Sequence, residues 1–549
     1  MRRGVQTQYI FVTGGVLSGL GKGITAASIG AILQARGLNI SIQKCDPYLN
    51  VDAGTLNPAE HGECFVTDDG AETDLDLGHY ERFLDIDLTQ ASSTMSGRLL
   101  RQLTDDERAG KFLGQTVQLV PHFTNAIQDA IRAAGKGSDM HIVEIGGTVG
   151  DIESLAFIEA IREFALVEGR ENCIYAHLVY VPYLGTSKEF KTKPAQNSIR
   201  DLRGIGISPD ILLVRTETEP SHDITSKIQL FGGLAPEQVV VLPNAKSVYQ
   251  VPITLEEHGI GTLIMKKLDR RATPAKMDKW HKLVKNATTD FGTKVSIGVV
   301  AKYLDNEDTY FSVVEALKSA TRAHHVNLEL TWIDAEKLTD KDIDSLQRFD
   351  GLVVPGGFGK RGIEGKIAAA DYAMSHDMPY LGLCLGMQVA VIAAARAGGL
   401  HEATSTEFDL RAQQDVVYIM PDQKGKEATG GSMRLGSYEC QLEADSRAAQ
   451  LYKSTHITER HRHRYEVNKK FTKYFESVGM QIVGTSPNGK LVEMIEMRDH
   501  PFFLATQAHP ELKSRPDHAH PLFDGLISAA IERSAQTTMP RSAARSFVL

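Results

Sequence analysis

Cys384 stands in Gly382-Leu383-Cys384-Leu385-Gly386, between an apolar stretch over 380–383 and a predicted helix beginning near Gln388. Small residues two places either side of a nucleophile let a strand-to-helix turn close tightly and push the side chain into the open. A thiol there also lies near a helix N-terminus, where the dipole favours thiolate. Such a nucleophile needs a base and a group that orients the base; His509 and Glu511 in "QAHPE", after the apolar "PFFLATQA", supply both. It also needs donors for a tetrahedral oxyanion. Pro355-Gly356-Gly357-Phe358-Gly359, following the strand-like "GLVV", offers backbone N–H groups for that task. The chemistry these residues could perform together is acyl transfer through a thioester. Most free cysteines are inert buried side chains, but the flanking glycines argue against that reading here.

A second constellation suits phosphate. In "YIFVTGGVLSGLGKGITAAS", residues 9–28, a short buried strand over 9–12 runs into a glycine-dense loop over 13–23 and a helix over 24–36. A loop of this kind aims backbone N–H groups and the positive end of a helix dipole at an anion, and Lys22 adds a mobile cation. The loop departs from the G-x-x-x-x-G-K-[ST] pattern, because Val16 occupies the first glycine place and Gly23 replaces the hydroxyl that normally holds magnesium. The metal must therefore find ligands elsewhere. Glu144 ends the apolar strand "DMHIVEI", where an acid reaches toward a nucleotide-bound metal. Asp76 in "TDLDLG" is the second candidate, in a loop with carboxylates to spare.

The elements that must position these residues read as α/β. At 549 residues the chain exceeds one ordinary core. Up to about residue 265, "LNISIQK", "DMHIVEIGG", "CIYAHLVYVPYL", "ILLVRT" and "VVVLP" alternate with helix-like segments, which predicts a parallel sheet covered on both faces. A basic, polar stretch over 270–290 with room for one amphipathic helix reads as a linker, and "KVSIGVVAKY" opens a second α/β series. The expected division is residues 1–269, a linker at 270–293, a second domain at 294–535 and a disordered tail at 536–549. A formal net charge of −9 argues against a general nucleic-acid binder. No apolar run suits a signal segment or a membrane span, and five scattered cysteines suit a reducing cytoplasm.

"PGGFG", "GLCLGMQ" and "HPE", in this order, resemble a class I glutamine amidotransferase. The resemblance implies a Cys384-His509-Glu511 triad that hydrolyses glutamine and releases ammonia. "STEFD" and "RHRHRYEVN" resemble segments that hold glutamine, which implies Glu407 and Arg464 together with Gly357, Leu385 and Gln388. The string over 44–83, with "GGVLSGLGKG", "EIGGTVGDIES" and "KTKPAQ", resembles the synthetase domain of the CTP synthase family. That family's reaction makes a phosphorylated UTP whose C4 ammonia attacks. The resemblance implies ATP at Ser18, Gly19, Leu20, Gly21, Lys22, Gly23 and Asp76, and Mg2+ on Asp76 and Glu144. It implies UTP at Ser18, Lys44, Lys191, Lys193, Gln196 and Lys227. Inhibitory CTP would share Lys191, Gln196 and Lys227 and add Asp151, Ile152 and Glu153, although Asp151 and Glu153 could equally cap a helix starting near residue 153. GTP activation through Arg361 and a homotetramer built as a dimer of dimers, able to stack into filaments, are implied by the same resemblance. Rival readings are a corrinoid amidase, which should carry a more regular phosphate loop, a GMP synthetase, whose domains come in the opposite order, and a scaffold without catalysis.

Overall fold

The computed structural model describes residues 6–17, 19–220, 224–304, 306–339, 341–426 and 431–538. Ser18 and residues 539–549 lie outside them, and with them most of the expected tail. The chain forms two compact units, Met1–Ala53 with Asp76–Thr288 and Gly54–Leu75 with Thr289–Leu549.

The first unit is built on a seven-stranded sheet. Its strands are β1 (Gln8–Gly14), β2 (Ile40–Asp46), β3 (Ser93–Met95), β4 (Met140–Ile145), β5 (Cys173–Tyr180), β6 (Ile211–Thr216) and β7 (Val239–Pro243), in the order β7-β6-β5-β1-β4-β2-β3. Every pair is parallel. Consecutive residues of a strand face opposite sides of the sheet, and every residue of β4, like all but the first of β1, is buried. Both faces are therefore covered, as the uninterrupted apolar runs predict. Helix α1 (Lys22–Ala35) follows the glycine loop, and its small residues let it lie buried against the sheet. Its N-cap, Gly21, is left-handed at φ 91°.

Residues 270–288 belong to this unit rather than to a free linker. Helix α2 (Asp278–Thr288) buries Trp280 against Phe83, with ring centroids 5.3 Å apart.

The second unit carries a nine-stranded sheet. Its strands are β8 (Lys294–Ala301), β9 (Asn327–Asp334), β10 (Gly351–Val354), β11 (Tyr380–Leu383), β12 (Arg434–Leu442), β13 (His456–His463), β14 (Met480–Thr485), β15 (Val492–Met497) and β16 (Phe503–Thr506), in the order β9-β8-β10-β11-β16-β15-β14-β12-β13. The half from β9 to β16 is parallel and the half from β16 to β13 antiparallel. Helix α3 (Leu385–Ala397) starts directly after Cys384, three residues earlier than predicted, and eleven consecutive residues of it from Leu385 to Ala395 are buried. A helix apolar all round must be enclosed. The final helix, α4 (Pro521–Thr538), runs past residue 535, where the tail was expected to begin.

The segment Gly54–Leu75 groups with the second unit although it lies between β2 and β3 in sequence. It folds as a small hairpin, Phe65–Val66 against Glu72–Thr73. Strand β13 holds it: Arg460 Nε donates to Asp68 at 2.5 Å, and Arg462 Nε donates to Glu72 at 2.7 Å.

Candidate active site

Two parallel strands and their following turns build the thiol site. Cys384 sits between β11 and α3 with φ 52° and ψ −101°, a conformation that costs a non-glycine residue about 1–3 kcal/mol and marks a constrained turn. The turn closes only because residue 386 is glycine: a Cβ there would overlap the Val354 carbonyl oxygen and stand 3.0 Å from its carbon. The Cys384 N–H donates to the Thr506 carbonyl at 2.8 Å, which ties the elbow to β16.

Three residues beyond β16, His509 Nδ1 meets Glu511 Oε1 at 2.7 Å. His509 Nε2 accepts and donates no hydrogen bond among the described residues. It faces the glycine loop, since a Cβ at residue 356 would stand 3.7 Å from both His509 Nε2 and Cys384 Cβ. Burial works to lower the imidazole's pKa, but the Glu511 carboxylate and the Cys384 sulfur outweigh it and hold the pKa well above the ordinary histidine value. Gln507 Nε2 donates to Cys384 Sγ at 3.6 Å, and its Oε1 accepts from Gln388 Nε2 at 3.2 Å. The N–H groups of Gly357 and Leu385 donate to no protein acceptor among the described residues. Two free donors beside a buried thiol can stabilise an oxyanion. Pro58, Glu63 and Cys64, from the segment 54–75, wall the same pocket as Cys384 and His509.

In the first unit the loop at the C-terminal ends of β1 and β4 gathers charge. Lys22 Nζ donates to the Gly147 carbonyl at 2.9 Å. Asp76 is paired with Lys44, whose Nζ also lies 3.7 Å from Asp46. Glu144, at the end of β4, accepts from the Tyr80 hydroxyl. Burial and the nearby Asp76 push its carboxyl up to about 8, against the pull of Lys44 and Lys22. The glycine that spoils the phosphate-loop pattern has a spatial reason. A Cβ at residue 23 would overlap Asp76 Oδ1 and stand 2.8 Å from Asp76 Cγ, so the carboxylate occupies the room a serine or threonine side chain would need.

The chain is similar to known proteins along nearly its whole length. A family model described as "CTP synthase N-terminus" matches residues 8–270, and one described as "Glutamine amidotransferase class-I" matches residues 305–529. The CTP synthase of Bacillus subtilis is 48% identical over 96% of this chain and 100% of its own length. The chain belongs to the CTP synthase family. The CTP synthase of Methanocaldococcus jannaschii is likewise 48% identical, over 95% of this chain and 98% of its own length. Among solved structures, the glutaminase domain of Trypanosoma brucei CTPS with bound acivicin is 39% identical, covering 43% of this chain and 94% of that one at a TM-score of 0.41.

The residues that the family resemblance implies fall into separate groups. Cys384, His509, Glu511, Gly357, Leu385 and Gln388 come together at the thiol. Glu407 lies beside them, accepting from the Gly359 N–H at 2.7 Å, whereas Arg464 is engaged by Gln423 and Ser432. Lys22, Lys44, Asp76 and Glu144 form the charged cluster, with Gly19, Leu20, Gly21 and Gly23 in the loop beside it. Lys191 pairs with Glu189, and Gln196 Nε2 donates to Thr192 at 3.0 Å within the first turn of the helix Lys193–Gly204. Lys227 is exposed on the helix Thr225–Gly232. Asp151, Ile152 and Glu153 are exposed and precede the helix Leu155–Glu168, whose start carries no side-chain cap, so the capping role weighed for the two acids is not what they do. Arg361 pairs with Glu336 at 3.0 Å.

Sequence reasoning missed Gln507, Arg460, Arg462 and Lys302. The last had a readable signal. Lys302 follows the buried strand β8 directly, close to the placement of Glu144 as the next-to-last residue of β4.

Proposed function

We propose that this chain aminates UTP to CTP with ammonia drawn from glutamine, as its family name implies. Buried His509, with its Nδ1 on Glu511 and its ring in the same pocket as the Cys384 thiol, is the observation that carries the glutaminase half. The Cys384 thiol passes its proton to His509 as its sulfur attacks the glutamine side-chain carbonyl, and the Gly357 and Leu385 N–H groups receive the oxyanion. As the tetrahedral species collapses, His509 gives its proton to the departing nitrogen, which leaves as ammonia. His509 then takes a proton from water attacking the thioester and gives it to the departing sulfur, so that glutamate is released and the thiol regenerated. Glu511 keeps the imidazole in the orientation and charge state both steps need. Glu407, Gln388 and Arg464 hold the amino-acid part of glutamine.

In the synthetase half, ATP phosphorylates the 4-oxygen of UTP, converting a poor leaving group into phosphate; ammonia attacks C4 and phosphate departs. Lys22 and Lys44 concentrate positive charge where the phosphoryl group moves. Asp76 and Glu144 offer hard carboxylate oxygens of the kind Mg2+ prefers, and both stand in one charged cluster, so the residues fit the metal. When bound, Mg2+ neutralises phosphate charge. Loop residues 18–23 cradle ATP. Lys191, Lys193, Gln196 and Lys227 grip the triphosphate of UTP, and product CTP uses the same grip with its base toward Asp151, Ile152 and Glu153. GTP activates the glutamine reaction through Arg361.

The assembly is a homotetramer, a dimer of dimers that can stack into filaments. It works in the cytoplasm on small molecules, with no nucleic acid or membrane partner; among the described residues no helix is long and apolar enough to cross a membrane. Steady-state assays with UTP and ATP test the proposal, with glutamine or ammonium as nitrogen source. A cytosine chromophore should appear with either source. Consumption of ATP and glutamine with no cytosine product would contradict it.

A further inference from the structure

The oxyanion loop is held from behind by buried lysines. Lys302 Nζ donates to three backbone carbonyls, those of Phe358 at 2.8 Å, Gly359 at 2.7 Å and Arg361 at 3.1 Å. The Tyr303 hydroxyl shares the Phe358 carbonyl at 2.9 Å. From the helix Ile363–Ser375, fully buried Lys366 donates to the Pro355 carbonyl at 2.8 Å. A peptide's C=O and N–H are fixed in one plane and point opposite ways. Pinning the carbonyls of Pro355 and Phe358 therefore brackets the two peptide units between them, which carry the N–H groups of Gly357 and Phe358. Those units are joined by glycines, whose backbone would otherwise turn freely.

We propose that Lys302 is a positioning residue of the glutaminase site: its ammonium clamps the loop carbonyls so that the Gly357 N–H stays aimed at the oxyanion of the thioester-forming step. This rests on the glutaminase reading above. Three ammonium hydrogens match three carbonyls, and the clamp has no role in the synthetase half. A neutral amine keeps two hydrogens and turns a lone pair toward a carbonyl. Charge therefore matters. Burial pushes the Lys302 ammonium down to about 8, with Arg361 adding to the fall and Glu407 and Glu336 opposing it; Tyr303 and Lys366 are the other titratable groups facing it. A lysine with a lowered pKa is charged only below that pKa. The clamp's charge is thus present at lower pH and is lost progressively as the pH rises through about 8.

The test measures glutamine-dependent and ammonium-dependent CTP formation across that pH for the full-length wild type, Lys302→Met, Lys302→Arg and Cys384→Ala. Lys302→Met should lower the glutamine-dependent kcat about 100-fold, the scale for a misplaced reacting group, with the glutamine KM little changed and the ammonium reaction intact. Lys302→Arg, which stays charged at any working pH, should recover part of the rate and extend it to higher pH than the wild type. A Lys302→Met enzyme with wild-type glutamine kcat, or an alkaline limb that Lys302→Arg leaves in place, would overturn the clamp. Cys384→Ala separates the two levels. If that variant still uses glutamine, the glutaminase reading itself fails; if it does not and Lys302→Met does, only the clamp fails.

Discussion

Cys384→Ala is expected to lower CTP formation from glutamine by at least about 10⁴-fold, the scale for removing a nucleophile that works as part of a triad, while formation from ammonium stays near the wild-type rate. The thiol is needed only to form the thioester. It lies in the second compact unit, whereas Lys22, Lys44, Asp76 and Glu144 lie in the first. The substitution removes one buried sulfur from a position where the backbone is already held by the Thr506 carbonyl. A loss of folding is therefore not expected, and the ammonium reaction serves as the internal control. If both reactions vanish together, the division of labour between the units is wrong.

Gly23→Ser should damage the other half, although it restores the hydroxyl of the usual phosphate-loop pattern. A serine Cβ would overlap Asp76 Oδ1, and the carboxylate could escape only by giving up its place beside Lys44. Displacing a phosphate-site group by about 1 Å costs on the order of 100-fold in rate, and overpacking costs about 1–3 kcal/mol of stability. Both nitrogen sources should suffer equally, because phosphoryl transfer precedes either of them. Measured kcat/KM for ATP with each source gives the answer. Unchanged values would show that Asp76 does not occupy that space in the working enzyme.

The pattern of what was legible in the sequence follows from range. Elbow, oxyanion loop and His-Pro-Glu are contiguous strings, each set by its own turn chemistry, and the strands that carry them are uninterrupted apolar runs. Strand β11 has the predicted bounds. The helix after Cys384 begins earlier than Gln388 because the elbow itself forms its N-terminus, an economy that a search for apolar periodicity does not register.

What stayed hidden depends on partners far apart in sequence. Nothing around Asp68 or Glu72 announces that they pair with Arg460 and Arg462, about 390 residues away, and so carry the segment 54–75 into the second unit. In the sequence those acids are only members of an acidic loop. The same holds for Gly23 and Asp76: the missing hydroxyl was visible, but the carboxylate that fills its room was not. In the arginine-rich string over 460–468 the family resemblance points to Arg464 alone. Alternation along β13 gives the others their work, with Arg460 and Arg462 directed at the segment and their backbone carbonyls at the triad, where they accept from the His509 N–H at 2.7 Å and from Cys384 Sγ at 3.8 Å.

Transfer of nitrogen from glutamine to the pyrimidine is tested most directly with amide-¹⁵N glutamine. The enzyme is given UTP, ATP and the labelled glutamine in a solution containing unlabelled ammonium, and the 4-amino group of the CTP formed is analysed by mass spectrometry. The expected result is CTP carrying ¹⁵N in the wild type and only ¹⁴N in Cys384→Ala. CTP without label from the wild type, with ¹⁵N appearing only as free ammonium, would contradict it.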